Sequence, residues 1–212
     1  MDKNRWDAVV FDYGRVLSHS PTAAEIAEFA ALAGMNEPPF FDLYSNTRDE
    51  YDRGRHDCHR HWQRFARVAG ISLDAEKIGR IVAHENRLWA RANPEALELA
   101  REIKSHGVRI AILSNMPHDL LRDLRASFRW LDEFEVQIWS CEHGVIKPDP
   151  NIYRLCLELL GCEAERVLFF DDRPCNVEGA RRAGMEAHVF ESAAQARDVV
   201  MSGMRLPVAN RP

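Results

Sequence analysis

Apolar residues along this chain follow two rhythms, and the change between them divides it. Residues 6–11 (Trp-Asp-Ala-Val-Val-Phe) form a short apolar run that stops at Asp12, Tyr13 and Gly14. That is the pattern of a buried strand entering a tight loop. From about Thr22 to Arg91 the rhythm is helical: Ile26, Phe29, Ala30 and Ala33, then Trp62, Phe65 and Val68, then Ile78, Ile81, Val82 and Trp89 recur at spacings of three, four and seven. Pro38-Pro39, Arg53-Gly54-Arg55 and Gly70 punctuate this stretch into three or four helices.

From Pro94 onward, helix and strand alternate. The pattern predicts helices over 94–105, near 118–127, over 151–160 and over 175–183, with Gly107, Gly161 and Gly184 as stops. Between them it predicts strands over 108–113, near 135–140, over 167–170 and over 186–190, and a last helix beyond. Continuous apolar strands alternating with helices require a parallel sheet covered on both faces, an α/β fold of three layers. The first strand is cut off from the others by the helical stretch. Residues 1–18 and 92–212 are therefore read as one core, and residues 19–91 as an α-helical cap inserted into it.

Composition narrows the function classes. With 212 residues, 46% hydrophobic and 29% charged, the chain can bury a core without disulfide staples. A net charge of −5 with both signs interspersed argues against nucleic acid or an anionic membrane as partner. The five cysteines (Cys58, Cys141, Cys156, Cys162 and Cys175) form no C-x-x-C pair and read as free thiols. The first residues show neither a leader pattern nor a membrane span, so a cytoplasmic location is expected.

Ligands of open parallel sheets bind beyond the carboxyl ends of the strands. The residues there are Asp12-Tyr13-Gly14-Arg15, then Ser114-Asn115, then Gly144-Val145-Ile146-Lys147-Pro148, then Asp171-Asp172-Arg173. Each alone is an ordinary turn or cap. Together they gather three carboxylates, a lysine and a Ser-Asn pair on one edge of the sheet.

These segments, as VVFDYGRVL, ILSN, GVIKPDPNIY and VLFFDDRPCNVEGARRAGM, resemble the four ordered motifs of the haloacid dehalogenase superfamily, and 20–91 resembles its small helical cap. The resemblance implies a Rossmann-like core and phosphoryl-transfer chemistry on a small phosphorylated metabolite. It implies Asp12 as nucleophile, forming an aspartyl-phosphate that water hydrolyses. It implies Mg2+ on Asp12, on the Gly14 carbonyl and on Asp172, with Asp171 in its outer shell or exchanging roles. Ser114 and Asn115 would hold phosphoryl oxygens, Lys147 would bridge the phosphate and Asp12, and Asn176 would orient the metal's surroundings. Arg15 and Arg53 are the expected substrate contacts.

The chain departs from the pattern at Gly14, where most phosphatases of the family carry a second aspartate as acid and base. Such catalysis contributes about 10²–10⁴-fold. A substitute from His19, Glu25, Arg15 or the cap near Asp52 and His56, a substrate with a good leaving group, or a weak phosphate- and metal-binding module are the three readings. The D-Y-G-x-V-L form resembles the sugar-1-phosphate phosphatase branch. The 2-haloacid dehalogenases, which need no metal, carry Tyr and Gly one position later than Tyr13-Gly14.

Four other features remain. His56, His59 and His61 read as a solvated helix edge rather than a metal site. Arg53-Gly54-Arg55 reads as a turn that either faces solvent or contacts substrate. Trp62, Phe65 and Trp89 read as cap core. Phe128, Trp130, Leu131 and Phe134 either bury locally or form a dimer patch, so the chain is expected to be a monomer or a homodimer.

Overall fold

The computed structural model describes residues 4–204. Five parallel strands form one sheet in the order β3-β2-β1-β4-β5: β1 (Ala8–Phe11), β2 (Arg109–Ser114), β3 (Val136–Trp139), β4 (Val167–Asp171) and β5 (Glu186–Val189). The order reverses direction at β1, which pairs with both β2 and β4. Asp12 thus leaves the sheet at the switch point, where a crevice opens between diverging loops. All residues of β1 and of β4 are buried, because helices cover both faces.

One face packs through Val9, Phe11, Ile110, Ile112 and Phe170 against α6 (Pro94–Ser105), α7 (His118–Ser127) and α11 (Ala193–Gly203). The other packs through Ala8, Val10, Ala111 and Phe169 against α9 (Pro150–Leu160) and α10 (Pro174–Arg182), the single turn α8 (Ser140–His143) standing between β3 and α9. Alternation along β1 therefore sends odd residues one way and even residues the other. The predicted strands and helices of the core differ from the observed ones by at most two residues at their ends, and those over 94–105 and 118–127 coincide with α6 and α7.

Between β1 and α6 the chain forms α1 (Ala23–Ala33), α2 (Glu37–Thr47), a single turn α3 (Asp49–Asp52), α4 (Cys58–Ala69) and α5 (Ala75–Trp89). These helices enclose their own hydrophobic cluster of Phe29, Phe40, Tyr44, Trp62, Phe65, Ile78 and Ile81. Trp62 and Phe65 are core there, as expected, whereas Trp89 is only partly buried and faces the cleft described below. Phe128 and Trp130 pack against the core cluster that contains Leu131 and Phe134, and Trp130 stacks on Tyr13 with ring centroids 6.2 Å apart. Of that aromatic group Leu131 and Phe134 are buried, whereas Phe128 and Trp130 are half-buried.

Two seams, among other contacts such as Asn86 to Asp123, join the inserted helices to the core. At the first, the chain leaves and returns side by side: Ser18 bridges Ala92 in antiparallel fashion, with Asn93 N–H donating to the Leu17 carbonyl at 2.8 Å. At the second, the Tyr51 hydroxyl donates to Asp119 at 2.9 Å and the Ser140 hydroxyl to the Asp52 carbonyl at 2.5 Å. All five cysteines are free thiols. Among the described residues, no helix is long and apolar enough to cross a membrane.

Gly54 marks the tightest point of the second seam. Its φ is +72°, and a Cβ there would meet the Cys141 carbonyl oxygen at 2.5 Å and His118 Nε2 at 2.6 Å. Gly54→Ala is expected to lose about 1–3 kcal/mol, from left-handed strain and overpacking together. Calorimetry should show Tm falling by about 2–4 °C per kcal/mol for a chain of this length. An unchanged Tm would mean the seam is not closed in solution.

Candidate active site

The strand ends of β1, β2 and β4 and the loop after β3 meet in a cleft of about 450 Å³, roofed by the inserted helices. Asp12, Gly14, Arg15, Ser114, Asn115, Lys147, Asp172 and Asn176 line it. Phe41, Tyr44, Ser45, Arg48, Asp49, Asp52 and Trp89 form the opposite wall.

The chemistry centres on Lys147. Its ammonium is fully buried and sits 2.8 Å from Asp12 Oδ1 and 2.6 Å from Asp171 Oδ2. Its third hydrogen goes to the Leu113 carbonyl at 2.7 Å. An ammonium has three donors, and here all three are engaged. The expected bridge from Lys147 to a phosphate is thus, in this arrangement, a bridge between two aspartates.

The three carboxylates differ. Asp12 Oδ1 also accepts from the Tyr13 N–H at 2.7 Å. Asp171 is wholly buried and accepts from Arg173 N–H at 2.9 Å and from Asn176 Nδ2 at 2.9 and 3.1 Å. Asn176, lining the cleft, thus anchors Asp171. Asp172 is half-buried, with the Arg15 guanidinium 3.7 Å away. One oxygen of each of Asp12, Asp171 and Asp172 lies within 4.8 Å of the other two.

Burial is the largest influence on Asp12. It raises the carboxyl pKa from 3.8 to about 7, opposed by Lys147 and assisted by Asp171 and Asp172. Asp172 is likewise raised, by burial and then by Asp171. Lys147 is destabilised as a cation by burial, yet its pKa is raised because Asp12 and Asp171 outweigh that burial.

Ser114, buried at the end of β2, and Asn115 both line the cleft. The Asn115 amide accepts from Lys147 N–H at 2.8 Å and donates to the Lys147 carbonyl at 3.0 Å. Asn115 thereby fixes the loop that delivers the lysine. Arg15 stands at φ 59°, unusual for a residue with a side chain, and its guanidinium lies over the Phe41 ring at 5.7 Å.

Gly14 has φ −64° and ψ 127°, a conformation open to any residue. A Cβ there would have one neighbour within 4 Å, the Trp89 ring at 3.8 Å. The missing acid/base side chain thus leaves room that Trp89 borders.

Several other sequence expectations resolve differently. Arg53 lies outside the cleft lining, with its guanidinium 3.7 Å from Glu50. The arginine that does line the cleft from the inserted helices is Arg48. Glu25 closes the N-terminus of α1 in a capping box with Thr22 and pairs with Arg91 at 2.9 Å, and His19 is exposed; neither lines the cleft. His59 is exposed and His56 half-buried. His61 is wholly buried, stacked on Tyr51 with ring centroids 4.4 Å apart, and burial pushes its pKa down to about 3.

Sequence reasoning missed most of the far wall. There Arg48 donates to Asp52 (Nη2 to Oδ1, 2.9 Å) and pairs with the buried Glu85. The Tyr44 hydroxyl donates to Glu85 at 2.8 Å and accepts from the Trp89 indole at 3.2 Å. Spacing carried part of this signal: Tyr44, Arg48 and Asp52 lie four apart across the junction of α2 and α3.

In EDTA, Asp12 binds a proton more tightly folded (about 7) than unfolded (3.8). The folded state therefore holds the extra proton between those values, and stability from this group is lost as pH rises from about 4 to about 7. Urea titrations at pH 5 and pH 8 should show Asp12→Asn gaining on the wild type by about 2–4 kcal/mol at the higher pH. Parallel pH profiles for the two proteins would contradict the shift.

Similar proteins agree on the kind of molecule. A family model described as haloacid dehalogenase-like hydrolase matches residues 6–184. A Mycobacterium tuberculosis protein named Phosphatase MT3486 is 31% identical over 134 residues, covering 62% of this chain and 61% of its own length. The chain thus spans less than two thirds of that relative. A Thermotoga maritima phosphorylated carbohydrates phosphatase is 26% identical over 197 residues, 85% of this chain and 82% of that one. Among solved structures, a HAD family enzyme of Bacteroides thetaiotaomicron in complex with magnesium and inorganic phosphate has a TM-score of 0.64 at 17% identity, covering 87% of this chain and 93% of its own, a likeness of fold. The L-2-haloacid dehalogenase of Xanthobacter autotrophicus has a TM-score of 0.67 at 26% identity, over 96% of this chain and 85% of its own.

Proposed function

The chain belongs to the haloacid dehalogenase-like hydrolases, and from that premise we propose that it is a Mg2+-dependent phosphatase of small phosphorylated metabolites, sugar phosphates among them, working through an aspartyl-phosphate on Asp12. The observation that carries the reading is the buried Lys147 ammonium between Asp12 and Asp171, with Asp172 beside them. The buried Lys147 and, at 3.7 Å, the half-exposed Arg15 answer three clustered carboxylates, so the cluster still carries surplus negative charge. A further cation would neutralise it before an anionic phosphate enters. The clustered donors are all carboxylate oxygens, which suits a hard ion such as Mg2+. Asp12, Asp172 and the Gly14 carbonyl would hold it, with Asp171, already engaged by Lys147, Asn176 and the Arg173 amide, behind them. When bound, the ion neutralises this charge and polarises a phosphoryl oxygen. Two relatives carry phosphatase names, which supports the same class.

Asp12 Oδ1 is pinned by Lys147 and the Tyr13 amide, which leaves Oδ2 to attack phosphorus. The new Asp12–phosphorus bond forms as the ester P–O bond breaks, and the leaving oxygen takes up a proton. Water then attacks phosphorus, releasing phosphate and restoring Asp12. Ser114, at the mouth of β2, would hold a phosphoryl oxygen, with Arg15 beside Asp172 as a further contact. A dehalogenase would form its ester at carbon and need no metal. The carboxylate pair Asp171-Asp172 favours the phosphatase.

Para-nitrophenyl phosphate supplies a leaving group that needs no acid. Its turnover is expected with Mg2+, to vanish in EDTA, and to fall by about 10³-fold or more in Asp12→Asn. Turnover that survives both changes contradicts the assignment, and chloride release from chloropropionate in EDTA would identify a dehalogenase instead. Gly14→Asp tests the missing acid separately. Its backbone conformation suits any residue and a Cβ there makes only ordinary contact with Trp89, so turnover of alkyl phosphates is expected to rise at least about tenfold relative to para-nitrophenyl phosphate. An unchanged ratio would place the acid elsewhere.

A further inference from the structure

Two tyrosine hydroxyls hold Trp89 beside Gly14, one at each end of the residue. Trp89 is the last residue of α5, where the chain returns toward the sheet. Its carbonyl accepts from the Tyr13 hydroxyl at 2.9 Å, which ties its backbone to the neighbour of Asp12. That bond alone leaves the ring free to turn about its side-chain torsions. The bond from Trp89 Nε1 to the Tyr44 hydroxyl, 3.2 Å long, fixes the turn, and the ring then stands 3.8 Å from where a Cβ on Gly14 would be.

Every bond on the Tyr44 hydroxyl has a determined direction. A guanidinium and an indole N–H only donate, and an ionised carboxylate only accepts. Tyr44 accepts from Trp89 Nε1 and from Arg48 Nη1, so its proton goes to Glu85 Oε1 at 2.8 Å. Glu85 is wholly buried and takes Arg48 Nη1 on the same oxygen. A hydroxyl has one donor and two lone pairs; here all three are engaged, and none is left for a substrate. The ring that carries it is equally fixed, 3% exposed and packed against Phe29, Phe40 and Trp62 with centroids 5.3, 5.9 and 6.1 Å away.

We infer that Tyr44 is a positioning residue of this site, whose hydroxyl sets the Trp89 ring in the path of the leaving group. The inference rests on the phosphatase reading and deepens it. In an in-line displacement from Asp12 the leaving oxygen lies on the far side of phosphorus, toward the wall that Phe41 and Trp89 line. A planar leaving group has a ring face to set against a correctly turned indole, whereas an acetyl group has none.

Tyr44→Phe tests this by removing one oxygen and keeping the packed ring. Arg48 retains Asp52 and Glu85 in that variant. The first measurement needs no substrate: the indole N–H resonance of Trp89, assigned by its loss in Trp89→Phe, is expected to move upfield in Tyr44→Phe as its acceptor disappears. The second is the ratio of kcat/KM for para-nitrophenyl phosphate to that for acetyl phosphate, in Mg2+. Tyr44→Phe and Trp89→Phe are each expected to lower it about three- to tenfold. The double variant is expected to fall no further than Trp89→Phe alone, because both changes break the same connection. An unmoved indole resonance, an unchanged ratio in Tyr44→Phe, or effects that multiply in the double variant overturn the inference. Absence of para-nitrophenyl phosphate turnover in the wild type would instead overturn the phosphatase reading beneath it.

Discussion

The ammonium of Lys147, buried between Asp12 and Asp171, is the contact on which the rest of the site depends. Two carboxylates at the ends of neighbouring strands repel each other strongly once water is removed, and the lysine makes their approach tolerable. For the lysine to arrive, the loop after β3 must pass beneath two strand ends, and the Asn115 amide holds that loop by its backbone. Asn176, one turn into α10, holds the second aspartate from the other side. Four chain segments far apart in sequence are thereby tied to one charge. Removing the ammonium would leave a buried carboxylate unpaired, a loss of about 3–5 kcal/mol, so the group that organises the chemistry is also a large part of what fixes the loops.

Most of this half of the molecule was legible in the sequence, for a physical reason. Parallel strands buried on both faces are short and apolar, and each must end where polar residues begin. Asp12, Ser114, Lys147 and Asp171 therefore stand out as the first polar residues beyond apolar runs or in the loops that follow them. Which aspartate the lysine joins was not legible, since hydrogen-bond saturation depends on distances that spacing does not give. The result separates the acidic pair: Asp171 has its oxygens engaged by the fold, while Asp172 faces the cleft with Arg15.

The opposite wall was far less readable. Tyr44, Arg48 and Asp52 follow helical spacing, yet Glu85 comes from another helix, and a buried ion pair between helices leaves no local signature. The turn at Arg53-Gly54-Arg55 drew notice because turns carry function. Its arginines point away from the cleft lining, and its glycine is needed for a close approach to the Cys141 carbonyl. His61 is buried and neutral rather than solvated, an outcome that a cluster of histidines in sequence conceals. The two walls differ in kind: the sheet side gathers three carboxylates around Lys147, and the helical side presents acceptors and rings across the cleft. Gly14 sits at their junction and brings no acid side chain from the first strand.

The central claim is that Asp12 itself becomes phosphorylated. Acid-quenched turnover of para-nitrophenyl phosphate, followed by mass spectrometry of the peptide containing Asp12, tests it most directly. The account predicts one phosphoryl group on Asp12, formed with Mg2+ and absent both in EDTA and in Asp12→Asn. Steady turnover with Mg2+ and no phosphoryl group on Asp12 at any quench time would contradict it.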